Sequence, residues 1–184
     1  MERRIVVVSG APGAGKTTLA YPLAAALGLP IFAKDTIKET LYDSLGGDLG
    51  DAVDGRASLP VSRRVGAAAM DLLWQLARDA PTCVLEANFR FPDQFARPIL
   101  RDLTRDGRLV EVHCSCPPDE AARRYNTRGQ SLERHRVHTW TALPAEVRDE
   151  YDGPIGIGPV IEVETTQPID VDQLAAQVHS LLLA

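Results

Sequence analysis

The chain has 184 residues, 45% of them hydrophobic, with three cysteines and a formal net charge of −5. That is enough apolar material for one core, and it excludes an intrinsically disordered chain. No apolar run is long enough to span a bilayer, three cysteines do not make a disulfide framework, and the acidic balance weighs against non-specific nucleic-acid binding.

Met1-Glu2-Arg3-Arg4 leads directly into an apolar run with no room for a signal peptide, so the expectation is a cytoplasmic protein. Ile5-Val6-Val7-Val8 is the continuous β-branched stretch of a buried parallel strand, predicted over residues 4–9. It runs into Gly10-Ala11-Pro12-Gly13-Ala14-Gly15-Lys16-Thr17, a complete G-x-x-x-x-G-K-T phosphate-binding loop. A helix is predicted over residues 16–27, ended by Gly28 and Pro30, with Pro22 removing one hydrogen bond on the way. Strand, glycine loop and helix together aim backbone N–H groups and a helix N-terminus at a polyphosphate. Gly10, Gly13 and Gly15 permit the required backbone, and Ala11, Pro12, Ala14 and Thr18 complete the cradle. Lys16 supplies a point charge at the β and γ phosphates, and the Thr17 hydroxyl is placed to ligate Mg²⁺.

A second strand is predicted over residues 30–33, ending in Lys34-Asp35, with a helix over 36–44. Asp35 or Thr36 fits the N-cap, and Thr36 with Glu39 fits a capping box. Open α/β sheets bind ligands at the carboxyl ends of their strands, so Asp35 is also placed to orient or deprotonate a hydroxyl nucleophile. Residues 46–55, rich in Gly and Asp, read as a flexible loop. A helix over 60–80 leads to a strand over 82–87, in which Cys83 is a small buried hydrophobe. Glu86 closes that strand where a Walker B carboxylate would hold Mg²⁺, and Asn88 and Arg90 follow within reach of substrate. Next come a helix over 93–106 and a strand over 108–115, whose Cys114-Ser115-Cys116 lacks zinc-ligand spacing.

The predicted helix over 118–128 carries Arg124 and Arg128 on one face, i and i+4. With Arg123 and Arg134 they read as a lid over roughly residues 123–140 that stabilises charge on a transferred phosphoryl group. Like charges and little apolar surface predict that this segment is mobile without nucleotide. His135 and His138 lie three apart with no third metal ligand evident. A helix over 144–151, a strand over 160–165 and a helix over 170–183 complete the chain. Alternating strands and helices predict a single domain over residues 1–184, a parallel sheet covered by helices on both faces.

The segments Gly10–Thr17, Lys34-Asp35-Thr36-Ile37-Lys38-Glu39, Leu85-Glu86-Ala87-Asn88-Phe89, and Arg124 with Arg128 and Arg134-His135 together resemble the small P-loop kinase family. That family includes zeta toxins, chloramphenicol phosphotransferase and the kinase domain of polynucleotide kinase, and the resemblance covers most of the chain. It implies a three-layer P-loop fold with a five-stranded parallel sheet in the order 2-3-1-4-5 and a mobile lid. It further implies that ATP with Mg²⁺ donates its γ-phosphate to a hydroxyl, with Asp35 as base and Arg124 and Arg128 as lid arginines. The loop Thr165-Thr166-Gln167-Pro168 would lie beside the adenine, with Thr166 in contact. Antibiotic, nucleoside, sugar and nucleotide-sugar acceptors all remain open. A 5′-hydroxyl polynucleotide kinase is the nearest alternative, disfavoured by the acidic charge and by Asp48, Asp51 and Asp54. A nucleotide-driven ATPase switch is the other, and no switch segment is evident.

Overall fold

Ile5 to Val8 are wholly buried, and alternation along an extended chain sends Val6 and Val8 to one face and Ile5 and Val7 to the other. They form the centre of β1 (Arg3–Gly10) in a computed structural model that describes residues 3–45, 52–53, 56–90, 94–144, 151 and 153–184. The remaining elements in chain order are α1 (Lys16–Leu27), β2 (Ile31–Ala33), α2 (Lys34–Leu45), β3 (Ala52–Val53), β4 (Arg56–Ala57), α3 (Leu59–Asp79), β5 (Thr82–Glu86), α4 (Ala96–Leu103), β6 (Gly107–Ser115), α5 (Pro118–Gln130), β7 (Val160–Glu164) and α6 (Val171–Leu183). The main sheet runs β2-β5-β1-β6-β7 with every pairing parallel. Without the small β3–β4 hairpin, that is the order 2-3-1-4-5.

Helices cover both faces. On one, Leu19 and Leu23 of α1 and Leu174, Val178 and Leu182 of α6 pack on Val6, Val8, Val110 and Val112. On the other, Leu73, Trp74 and Ala77 of α3 and Leu100 of α4 pack on Ile5, Val7, Cys83 and Leu85. Burial pushes the Cys83 and Cys114 thiols up to about 12, which makes both poor nucleophiles. α1 continues through Pro22, which lies on the helix's exposed side, where water can serve the carbonyl it leaves unpaired. α4 is shorter than expected: it ends at Leu103, with Thr104 as its C-cap, whose hydroxyl donates to the Leu100 carbonyl at 2.7 Å. No described helix is long and apolar enough to cross a membrane.

Three expectations need correction. Neither Asp35 nor Thr36 caps α2: β2 passes into the helix with no connecting residue, so both sit in its first turn. The Thr36 hydroxyl pairs with Tyr21 at 2.8 Å and Glu39 pairs with His138, so no capping box forms. Part of the expected 46–55 loop is the β3–β4 hairpin, in which Ala52 and Val53 pair with Ala57 and Arg56. The rest of that stretch, and residues 145–150 of the expected 144–151 helix, lie outside the described residues. Finally, the segment after α5 does have an apolar anchor. Val137 is fully buried among Tyr42, Val61, Val65 and Ala57. The Arg136 carbonyl also accepts a hydrogen bond from the Ala57 amide at 3.0 Å.

Candidate active site

The glycine loop leaves the carboxyl end of β1 with positive φ at Gly10, Gly13 and Gly15 (132°, 89° and 82°), which only glycine adopts without strain. A Cβ at Gly13 would collide with the backbone carbonyl of Ala121, so the loop lies directly on α5. Within the loop the Ala14 amide donates to the Ala11 carbonyl at 3.0 Å. Lys16 is buried, and its Nζ donates to that same carbonyl at 2.8 Å. Burial lowers its pKa, against the pull of Glu86, Cys114 and Asp35. Thr17 and Thr18 are exposed to the cleft at the start of α1.

Sheet order brings the carboxylates in. β5 lies between β1 and β2, and Glu86 stands in register with Val8 on one side and Ala33 on the other. Glu86 therefore ends beside the loop, and Asp35, two residues beyond Ala33, ends one strand further along. The Thr17 hydroxyl donates to Glu86 Oε1 at 3.4 Å. A hydroxyl and a carboxylate facing the cleft together are hard oxygen donors that fit Mg²⁺, a cation that takes few protein ligands and fills its shell with phosphate oxygens and water. Burial raises the Glu86 pKa, with Lys16 opposing. Asp35 behaves oppositely. Burial would raise its pKa, but Lys34, with Nζ 3.0 Å from Oδ1, joins His138 and Lys38 in holding it well below the usual carboxylate range. Its side chain is 41% exposed and opens to the cleft as an anion.

The arginines separate into distinct environments. Arg124 donates to Glu120 at 2.7 Å, to the Thr165 hydroxyl at 3.3 Å and to the Thr165 carbonyl at 3.2 Å, which ties α5 to the loop after β7. Arg123 is taken up by Glu120 on the outside and does not line the cleft. Arg128 is exposed, lines the cleft, lies 5.8 Å from the Tyr125 ring centroid, and its charge reaches Lys16. Thr165 and Gln167 line the cleft, whereas the Thr166 hydroxyl turns to Glu164 and Thr166 does not.

One cleft of about 1640 Å³ contains all of this, larger than the roughly 300–1,000 Å³ of a usual single-ligand pocket. Its far end is lined by Lys38, Glu39, Ser62, Arg63, Arg134 and His138, with Asn88 and Arg90 between. The sequence points to the segment from Lys38 to Trp74 for acceptor recognition but gives no individual role to Lys38, Ser62 or Arg63. Lys38 was within reach of sequence reasoning, one turn after Asp35 on the same helix face. Ser62 was not, because only packing of α3 on α2 brings it to Lys38. The histidines do not form a metal pair; they grip α2, His138 Nε2 on Glu39 at 2.7 Å and His135 Nε2 on Asp43 at 3.1 Å.

The chain shares its architecture with solved nucleotide-binding proteins. A candidate kinase from Chloroflexus aurantiacus J-10-fl is 27% identical, covering 99% of this chain and 100% of its own, with a TM-score of 0.81. Chaetomium thermophilum Kti12, solved with ADP-AlF3, is 18% identical over 97% of this chain and 98% of its own, at a TM-score of 0.62. The Mycobacterium tuberculosis APS kinase CysC, solved with AMPPNP and APS, is 22% identical over 100% and 99%, at 0.53. None of the curated proteins matches the sequence. Residues 5–147, which hold the glycine loop, Asp35, Glu86 and α5, match the AAA domain family, and the protein belongs to that family.

Proposed function

We propose that the protein transfers the γ-phosphoryl group of ATP to a hydroxyl of a small molecule. The observation that carries this reading is one cleft with two ends. The phosphate loop with Thr17 and Glu86 forms one, and the ionised Asp35 opens to the same cleft from the first turn of α2. A cleft of that volume accommodates a nucleotide and a second substrate together.

In this reading Lys16 leaves the Ala11 carbonyl for the β and γ phosphates, whose negative charge offsets its burial. Thr17 and Glu86 would hold Mg²⁺, which when bound would neutralise charge on the phosphates. Asp35 accepts a hydrogen bond from the acceptor hydroxyl and aligns its oxygen on the γ-phosphorus. As the new O–P bond forms, the bond to the β-phosphate oxygen breaks, the electron pair leaves with ADP, and the hydroxyl proton passes to Asp35. With its pKa held below the usual carboxylate range, Asp35 takes that proton late, after bonding to phosphorus has drawn electrons from the hydroxyl oxygen and made its proton acidic, so orientation is its larger contribution. Arg128 swings from Tyr125 to the transferring group, while Arg124 fixes the loop after β7 beside the nucleotide.

The resemblance to zeta toxins and chloramphenicol phosphotransferase supports this assignment. A polynucleotide acceptor is disfavoured by the net charge of −5, which supplies no long basic track for a phosphodiester strand. The test is a panel of hydroxyl compounds incubated with ATP and Mg²⁺. ADP release that depends on an added acceptor is expected. ADP release that proceeds equally without one would replace this reading with an ATPase.

A further inference from the structure

Lys38 is a buried ammonium, 7% exposed, at the far end of the cleft. Its Nζ has three donors, and its one partner among the described residues is the Ser62 hydroxyl at 2.8 Å. No described carboxylate pairs with it; Asp35, nearest on its helix face, is already engaged by Lys34. Burial pushes its pKa down to about 8, and the charges of Lys34 and Arg134 push the same way, against Asp35 and Glu39. Arg134 lines the same end. It donates to the Tyr125 hydroxyl at 2.9 Å, its guanidinium lies 4.8 Å from that ring centroid, and its Nε is buried with no hydrogen-bond partner among the described residues. Two neighbouring cations with unspent buried donors are costly unless an anion answers them. There is room for one: Lys38, Ser62, Gly66 and Arg134 all line the cleft, and Gly66, one turn after Ser62 on α3, puts no side chain over Lys38.

We propose that the phosphoryl acceptor carries an anionic oxyacid group, a carboxylate or a phosphate, bound by Lys38, Arg134 and the Ser62 hydroxyl while its hydroxyl lies at Asp35. This rests on the kinase reading for the role of Asp35. The acceptor is then a small hydroxy acid or phosphorylated alcohol, not a neutral sugar or antibiotic. Size follows from the helix: Asp35 and Lys38 are three residues apart on α2, about 4.5 Å along its axis. One small molecule can therefore reach both residues. An arriving anion favours the charged form of Lys38, so binding near pH 8 takes up a proton.

The test is calorimetry of the full chain with Mg²⁺ and AMPPNP, titrated with matched compounds: glycerol, glycerate and glycerol 3-phosphate, then glucose, gluconate and glucose 6-phosphate. An anionic member of one set should bind about 10- to 100-fold more tightly than its neutral counterpart, the range for charge-assisted hydrogen bonds. Whether the acid or the phosphate ester gains more identifies the anion. Titrations at pH 8 in two buffers of different ionisation enthalpy should show proton uptake. Lys38→Gln and Arg134→Gln should each remove most of the preference, and Lys38→Gln should also remove the uptake. Lys38→Arg should restore preference without uptake, and AMPPNP affinity reports that each variant is folded. Equal affinity within both sets, no binding of any anionic member at millimolar concentration, or an unchanged preference in Lys38→Gln would each overturn the proposal. Turnover of neutral alcohols without anion preference would sink this inference and leave the kinase reading standing. Lys38-dependent anion binding with no ADP release from any acceptor would do the reverse.

Discussion

The two ends of the cleft are built in different ways. At the phosphate end, eight consecutive residues do most of the work: the loop's own contacts are local, Ala14 to Ala11 and Lys16 to Ala11, and only Thr17 reaches across the chain, to Glu86. At the far end the contacts that hold α2 cross the chain: Lys38 to Ser62 over 24 positions, His135 to Asp43 over 92, His138 to Glu39 over 99. The first end recognises a polyphosphate largely through backbone, so it needs a conformation and few side chains. The second recognises whatever its side chains select, and it is held together by a satellite cluster of Tyr42, Ala57, Val61, Val65 and Val137, apart from the two clusters on the sheet. Nucleotide binding and acceptor choice can therefore change independently, and mutations should divide along the same line.

The largest effect belongs at the phosphate end. Lys16→Ala should abolish transfer and weaken nucleotide binding without loss of fold, since it removes a buried charge and opens no core cavity. Circular dichroism and nucleotide titration check this; wild-type affinity and turnover in the variant would dissolve the distinction between the ends. Asp35→Asn sits on the boundary. Turnover should fall roughly 10²–10⁴-fold with nucleotide affinity unchanged. Asp35→Asn also removes the charge that answers Lys34, so melting temperature should fall modestly, and normal turnover in the less stable variant would mean its role is structural. Arg124 and Arg128 sharpen the comparison further. Arg124 is committed to Glu120 and Thr165, so Arg124→Ala should chiefly weaken nucleotide binding. Arg128 is exposed and rests near Tyr125, so Arg128→Ala should lower turnover by about 10²-fold with little change in ground-state affinity. Similar affinity losses in both variants would show one shared task.

The smallest effect is a pH dependence confined to the far end. Burial holds the His138 pKa below its unfolded value, against Asp35 and Glu39, with Lys38 assisting burial. The unfolded chain therefore binds the additional proton as pH falls through about 6.5, so stability from docking residues 131–143 on α2 is present above that pH and lost below it. Hydrogen exchange in this segment should quicken between pH 7.5 and 5.5, and His138→Gln should flatten the change. The depressed Asp35 carboxyl acts in a separate window: its contribution is present above its ordinary pKa near 3.8 and is lost only as pH falls below it. Equal acid sensitivity at the phosphate loop would mean that the two ends do not open separately.

The strands and helices were legible in the sequence because their signals are local. Ile5 to Val8 is a buried run wherever it is placed, Gly10 to Thr17 prescribes its own turn, and Leu174, Val178 and Leu182 recur at helical spacing. Residues whose role depends on a distant partner were misread or missed. Asp35 and Thr36 looked like caps until β2 was seen to enter α2 directly. Val137 looked like part of a loose basic segment until α2, α3 and β4 closed around it. Thr166 was assigned to the nucleotide, yet it faces Glu164 while its neighbours line the cleft. A short motif carries its backbone conformation in its own residues. Whether Lys38 meets a serine or a carboxylate depends on which strands pair and how α3 lies across α2, and no single segment contains that information.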